Sequence, residues 1–276
     1  MPQARGWARQ SIMQAIISSS SNERIKHARR VRDGREEGLI LVEGLRLAEE
    51  ALRSGLQVEA ALVSAGTAEA RLATLITQIE AQQAPVWQVR HEVLNALTDT
   101  VQSQGVALIA RRPQRLLKDF TALPGTLFLA LDRVQDPGNM GTLLRTAEAA
   151  GVSGLIALGG SVDVHSPKVL RSSMGSAFRL PLITEATADL LMQFRTGRGL
   201  CLVAAAGEGE MDYDHHDWRQ PTLLLLGNEG RGVADDLLQA CDKRLRIPMA
   251  NGVESLNVAA AGAVMLFEAA RQRRCG

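Results

Sequence analysis

Residues 221–226 read Pro-Thr-Leu-Leu-Leu-Leu, and Gly227 follows at once. A strand with one wet face alternates apolar and polar residues, whereas a strand covered on both faces can be apolar throughout. The run from Leu223 to Leu226 therefore predicts a fully buried parallel strand, with helices on both sides of its sheet. That demands a chain rich enough in apolar residues to cover the sheet twice. At 276 residues and 46% apolar content this chain suffices, and a disordered protein is excluded.

The segments around the run alternate in type, as a mainly parallel α/β fold requires. In the second half, strands are expected at 126–131, 155–158 and 200–206, with helices at 141–150, 167–174, 188–194 and 256–274. Small residues Ala259, Ala260, Gly262 and Ala263 would let the last helix pack closely. The first half reads as a smaller α/β unit, with strands at 39–42, 58–63, 86–89 and 105–110 and helices at 44–54 and 71–82. Leu45, Leu47, Ala48, Ala51 and Leu52 would form the buried side of the first of these helices. A linker follows Arg111-Arg112-Pro113, so the domains are expected at 1–115 and 116–276.

Charge is informative only when divided by position. The whole chain has 31 Lys+Arg against 30 Asp+Glu, but residues 1–118 hold 16 basic and 12 acidic side chains, and the remainder 15 and 18. Much of the basic excess lies in residues 23–35, where Arg24, Lys26, Arg29 and Arg30 would present a phosphate-binding surface on a helix; a merely solvated helix is the alternative. Aromatic residues make up only 3%, which argues against rows of base-stacking rings. Cys201, Cys241 and Cys275 are odd in number and far apart, so a reducing compartment, the cytoplasm, is expected, with neither a disulfide framework nor a structural zinc. No apolar run is long enough to span a bilayer. Residues 1–22 lack acids and contain Arg5, Arg9 and the run Ser18 to Ser21, but Ile12, Ile16 and Ile17 more simply begin the folded part than a transit peptide.

Three loops at strand ends carry unusual chemistry, and such ends are where α/β sheets gather ligands. The first holds Asn139, with Arg145 six residues on; a helix starting at Gly141 would set Arg145 beside the Asn139 amide. Capping by Asn139 and a pair between Arg145 and Glu148 would be the structural alternative. The second is Gly227-Asn228-Glu229-Gly230-Arg231-Gly232, where glycines admit a ligand close to the backbone. It is neither G-x-x-x-x-G-K-[ST] nor G-x-G-x-x-G, which removes support for nucleotide hydrolysis and dinucleotide redox chemistry. The third runs from Ile247-Pro248-Met249 to Ser255-Leu256-Asn257, with Ser255 placed to cap the last helix and Asn257 in its first turn.

In this order and spacing the loops resemble the three motifs of the SpoU-type (TrmH-like) family of SPOUT methyltransferases. Segments 166–171 and 178–181 are similar to the stretch between its first and second motifs, and the first half resembles the family's L30e-like substrate-binding domain. The resemblance implies an α/β SPOUT domain with a C-terminal trefoil knot, working as a homodimer. It implies methyl transfer from S-adenosylmethionine to a ribose 2′-hydroxyl, most simply in large-subunit rRNA, with tRNA as the alternative. Carried over by position, Asn139, Arg145, Glu229, Ser255 and Asn257 would serve catalysis. Ala205, Ala206, Gly207, Leu226, Gly227, Asn228, Ile247, Met249 and Leu256 would hold the cofactor, and no metal is needed. Arg145 would orient and activate the hydroxyl, Asn139 and Asn257 would hold substrate or the Arg145 loop, and Glu229 would fix that loop or the cofactor's.

Two readings from other classes compete. One is a non-catalytic RNA-binding or ribosome-associated protein of the same fold. The other is a metal-dependent hydrolase using Asp212, Asp214, His215, His216 and Asp217, although adjacent ligands on a polar loop rarely converge on one ion.

Overall fold

The structure, a computed structural model, describes residues 15–66, 69–98, 104–114, 116, 120, 123 and 125–274. Ile12, Cys275 and the expected domain boundary at position 115 lie outside these residues. From the N-terminus come α1 (Glu23–Arg32), β1 (Leu39–Glu43), α2 (Leu45–Arg53), β2 (Val58–Ser64), α3 (Ala70–Ala81), β3 (Val86–Val89), α4 (His91–Leu97) and β4 (Val106–Arg111). Their strands form a sheet ordered β1-β4-β2-β3, with β4 antiparallel to both neighbours and β3 parallel to β2. Ile17 pairs with Val89 and is buried, whereas Ile16 faces outward. Asn22 caps α1 by accepting the Arg24 N–H at 2.9 Å, and Ile25, Ala28 and Val31 turn inward, leaving Arg24, Lys26 and Arg30 exposed. Helix α4 was not expected, because seven residues with two buried leucines are too short to show a period.

The second half contains β5 (Leu127–Leu131), α5 (Pro137–Ala149), β6 (Gly154–Leu158), α6 (Pro167–Ser173), α7 (Ser176–Arg179), β7 (Leu182–Ala186), α8 (Ala188–Thr196), β8 (Cys201–Ala205), β9 (Met211–Asp212), β10 (Thr222–Leu226), α9 (Asp235–Gln239), β11 (Lys243–Arg246) and α10 (Val258–Arg274). Seven strands form one parallel sheet ordered β7-β6-β5-β10-β8-β11-β9. The leucine run is its central strand, flanked by β5 and β8 and buried at every position. Two helix starts differ from expectation. Helix α5 begins at Pro137, four residues early, because Asp136 caps it and the fixed φ of proline suits the first helical position. Helix α10 begins at Val258, two residues late, because Asn257 rather than Ser255 is its cap.

Helix α10 crosses the sheet against α5. A Cβ on Gly262 would lie 2.5 Å from Leu143 Cδ2 and 2.8 Å from Leu226 Cδ1, so this glycine sets the depth at which α10 docks. Ala259 is also buried there, while Ala260 faces solvent. One continuous buried cluster includes Val42, Leu45 and Ala48 of the first half and Leu143, Leu170 and Phe178 of the second, so the two sheets share a core. Among the described residues no helix is long and apolar enough to cross a membrane. Overpacking predicts that Gly262→Val costs about 1–3 kcal/mol. Denaturant unfolding should show that loss; an unchanged midpoint would mean that α10 has room to shift.

Candidate active site

The three unusual loops meet at the carboxyl ends of β5, β10 and β11, and a chain of side-chain amides and carboxylates holds them together. Asp136 Oδ1 accepts the Asn139 N–H at 2.8 Å, so Asp136 caps α5 and Asn139 is the helix's third residue. This leaves the Asn139 side chain free to link the other loops. Its Nδ2 donates to Glu229 Oε1 at 3.1 Å, and its Oδ1 accepts from Asn257 Nδ2 at 2.9 Å. Asn257 in turn caps α10, its Oδ1 accepting from the Ala259 and Ala260 N–H groups at 2.9 and 3.3 Å. Both amides are thus committed to each other and to Glu229, which favours a loop-holding role over direct contact with substrate.

Glu229 reaches from the second loop to the N-terminus of α5. Its oxygens accept the backbone N–H groups of Asp136 and Gln135 at 3.0 and 3.3 Å, besides the Asn139 amide. Burial alone would raise this carboxyl, but those donors outweigh it and hold the group below the usual carboxylate range. Around Glu229 the loop closes on itself: Asn228 and Gly232 exchange two backbone hydrogen bonds of 2.9 Å, and Asn228 Oδ1 accepts from the Gly230 and Arg231 N–H groups. A Cβ on Gly227 would lie 2.1 Å from the backbone of Gly232 and Val233, so the hairpin admits only glycine there.

Asp132 and Arg133 complete the arrangement, and neither was expected to matter. Buried Asp132 accepts two 2.9 Å bonds from the Arg133 guanidinium and one of 2.8 Å from the Ala234 N–H. Arg133 adopts φ +54°, and its carbonyl accepts from Asn228 Nδ2 at 2.8 Å. The available signal was an acid directly after an apolar strand, which needs partners if buried.

A cavity of about 420 Å³ opens beside this network. Ala205, Ala206, Gly207, Leu226, Gly227, Asn228, Ile247, Met249 and Leu256 all line it, as do Glu229 and Ser255. Also in its wall are Arg231 and Glu254 from the second and third loops, Asp235 at the start of α9, and Ala261 and Met265 on α10, none of which the loop patterns assigned to the site. Three carboxylates against one guanidinium suit a ligand carrying positive charge.

Arg145 is placed differently from the expectation. It lies two turns into α5, six residues and about 9 Å of helix rise beyond Asn139, and it is exposed. It does not line the cavity, and Glu148, its alternative partner, is held instead by Arg179. On α1, Arg24 lies 4.7 Å from the centre of the Trp87 ring, Lys26 pairs with Glu23 and Arg30 with Glu36, while Arg29 is half-buried. Asp212, Asp214 and His215 approach within 4.8 Å of one another, closer than their adjacency suggested. Asp212, however, pairs with Arg246 and Asp217 with Arg219. His216 is buried edge-on to Trp218, where burial lowers its pKa to about 4. The five residues form no common site.

A lowered carboxyl pKa in the folded state stabilises fully above the ordinary carboxylate range and ceases to do so as the pH falls through the lowered value. Glu229→Gln should therefore reduce thermal stability at neutral pH, with the difference from the unsubstituted protein vanishing in acid. Melting curves across that range check this; a gap independent of pH would exclude Glu229 as its source.

Known proteins with this arrangement are numerous. The SpoU rRNA Methylase family matches residues 126–267, and the RNA 2′-O ribose methyltransferase substrate binding family matches residues 41–116. An uncharacterized tRNA/rRNA methyltransferase of Synechocystis is 37% identical over 266 residues, 94% of each chain. A 23S rRNA guanosine 2′-O-methyltransferase of Bacillus subtilis is 31% identical over 91% of this chain and 97% of its own. Among solved structures, the AdoMet-bound rRNA methyltransferase of Sinorhizobium meliloti superposes with a TM-score of 0.84 at 32% identity, covering 92% of this chain and 97% of that one. AviRb of Streptomyces viridochromogenes, in complex with AdoMet, gives 0.83 at 30% identity over 92% and 100%. With more than half its length matched by the family and relatives of 31–37% identity covering over nine-tenths of it, the chain belongs to the SpoU rRNA methylase family.

Proposed function

We propose that the protein transfers a methyl group from S-adenosylmethionine to a ribose 2′-hydroxyl of large-subunit rRNA, acting as a homodimer. The observation that carries this reading is the junction of the three motif loops: the second and third line one cavity, and Glu229 and Asn257 fasten the first to its rim. The cavity fits the cofactor in size and chemistry. Its volume is within the usual range for small-molecule sites, about 300–1,000 Å³. Its wall combines open backbone at Gly207 and Gly230, an apolar floor at Leu226 and Met265, and the carboxylates that a sulfonium and an ammonium would favour. Closure of the C-terminal segment into a trefoil knot belongs to the same reading.

When bound, S-adenosylmethionine supplies a methyl group already activated on a sulfonium. The chain's own residues must then position the ribose in line and assist departure of its hydroxyl proton. Arg145 assists this departure by stabilising the forming alkoxide, and, since a guanidinium is a poor base, the proton passes to an RNA phosphate oxygen or to water. Its exposed position outside the cavity wall of its own chain supports delivery into the cavity of a second copy. Exposed Met249, Val253 and Leu256 on the third loop and Phe267 on α10 offer apolar surface for that contact. Ser255, exposed at the cavity rim, is placed to hydrogen-bond the incoming ribose.

The four-stranded domain is the substrate-binding part of this reading. The matched substrate-binding segment begins at residue 41, so the RNA role of α1 rests on its charge alone. Lys26 and Arg30 would have to exchange Glu23 and Glu36 for phosphate.

Incubation of the purified protein with large-subunit rRNA and methyl-labelled S-adenosylmethionine tests the reading: label should enter the RNA. Cofactor binding without transfer to any rRNA or tRNA would leave a non-catalytic RNA-binding protein. Arg145→Ala should lower turnover by about 10²-fold or more while cofactor affinity, measured calorimetrically, stays within a few-fold. Retained turnover would remove Arg145 from its role. Replacing Arg24, Lys26, Arg29 and Arg30 by Gln should weaken RNA binding and flatten its salt dependence, by about 0.7–0.9 in log–log slope for each phosphate that is no longer neutralised. An unaltered slope would return α1 to the role of a solvated helix.

A further inference from the structure

Arg179 joins elements that methyl transfer must keep in register. Its Nε and Nη2 donate to the two carboxylate oxygens of Glu148 on α5, at 2.6 and 3.0 Å, while its Nη1 donates to Glu50 on α2 at 2.8 Å. Glu50 belongs to the four-stranded domain, and Glu148 to the helix that carries Asn139 and Arg145. Arg145 precedes Glu148 by three residues, so the two are neighbours on one side of α5, about one turn apart. One guanidinium thus ties the RNA-binding half of the molecule to the helix turn next to Arg145.

The surroundings of this bridge are built for close approach. Gly175, between α6 and α7, has φ +88°, and a Cβ there would lie 2.9 Å from Arg179 Nη1 and 3.0 Å from Glu50 Cβ. A side chain at this position would push the two domains apart. Two more arginines cross the same boundary. Arg171 on α6 donates to Glu43 at 2.5 Å, and the Glu43 side chain is fully buried at the end of β1. Arg112, just after β4, donates to His165 Nδ1 at 3.0 Å and pairs with Asp163. An exposed ion pair alone contributes little stability. What the three bridges and the shared core supply is a fixed orientation.

We infer that Arg179 is a positioning residue: with Glu50 it locks the RNA-binding domain to α5, so that bound RNA and Arg145 of one copy reach a cavity as a single rigid unit. The inference rests on the ribose methylation proposed above. Misplacing a reacting group by about an ångström can lower a rate as much as 10²-fold, so loosening this lock should show in turnover before it shows in stability.

The test compares turnover and KM on deproteinised large-subunit rRNA for the unsubstituted protein, Glu50→Gln, Arg179→Gln, the double variant and Arg53→Gln. Arg53 pairs with Glu50 inside α2 and does not cross the boundary, so its variant is the control. Glu50→Gln and Arg179→Gln should each lower kcat about tenfold at saturating RNA, with the S-adenosylmethionine Kd and the melting temperature unchanged. The double variant should lose no more than Arg179→Gln alone, because both substitutions break the same bridge, and Arg53→Gln should keep full turnover. Unchanged kcat in Glu50→Gln, an equal loss in Arg53→Gln, or multiplying losses in the double variant would each overturn the inference. If Arg179→Gln fails to fold, Glu50→Gln decides alone, since it leaves the Arg179–Glu148 pair in place. An unsubstituted protein that transfers no methyl group to rRNA or tRNA would overturn the proposed function instead.

Discussion

Glu229 leaves the carboxyl end of the central strand and is received by the N-terminus of α5, where helix N–H groups lack partners within the helix and the helix dipole favours negative charge. The rest of the site follows from that contact. Once Glu229 accepts from Asn139 Nδ2, the amide's remaining oxygen must face Asn257, and Asn257, so held, caps α10. The first loop is thereby fixed to the second and third, 90 and 118 positions away, and the cavity beside them has a defined wall. An ionised carboxylate that accepts from four donors is an anchor rather than a proton acceptor for the reaction, and this leaves proton handling to other groups.

Much of this was legible in the chain, for reasons that particular residues make plain. Leu223 to Leu226 could belong only to a strand covered on both faces, and the glycine after them marked a turn with no space for a side chain. The two helix starts were misplaced because several neighbouring residues are competent caps. Asp136 and Asn139 compete at α5, Ser255 and Asn257 at α10, and tertiary contact chose between them: Asn139 was needed by Glu229, and Asn257 by Asn139. The pairing of Asp132 with Arg133 and Ala234 could not be read, since its meaning depends on how deeply the strand end is buried. Helices α4, α7 and α9 are too short to reveal a period.

The near-zero total charge concealed a second feature. Two arginines from the stretch between the first and second motifs join the two units: Arg171 reaches Glu43 across 128 positions and Arg179 reaches Glu50 across 129. Such pairings leave no trace in local spacing. Together with the shared core they hold the four-stranded domain against the helices of the second half.

Methylation of a ribose oxygen by S-adenosylmethionine held between the motif loops can be read by mass spectrometry of nuclease digests of large-subunit rRNA from cells with and without the protein. One nucleotide should carry a 2′-O-methyl group only when the protein is present, and should lose it with Arg145→Ala. A methyl group found on a base, or an rRNA methylation pattern identical in both strains, would contradict that expectation.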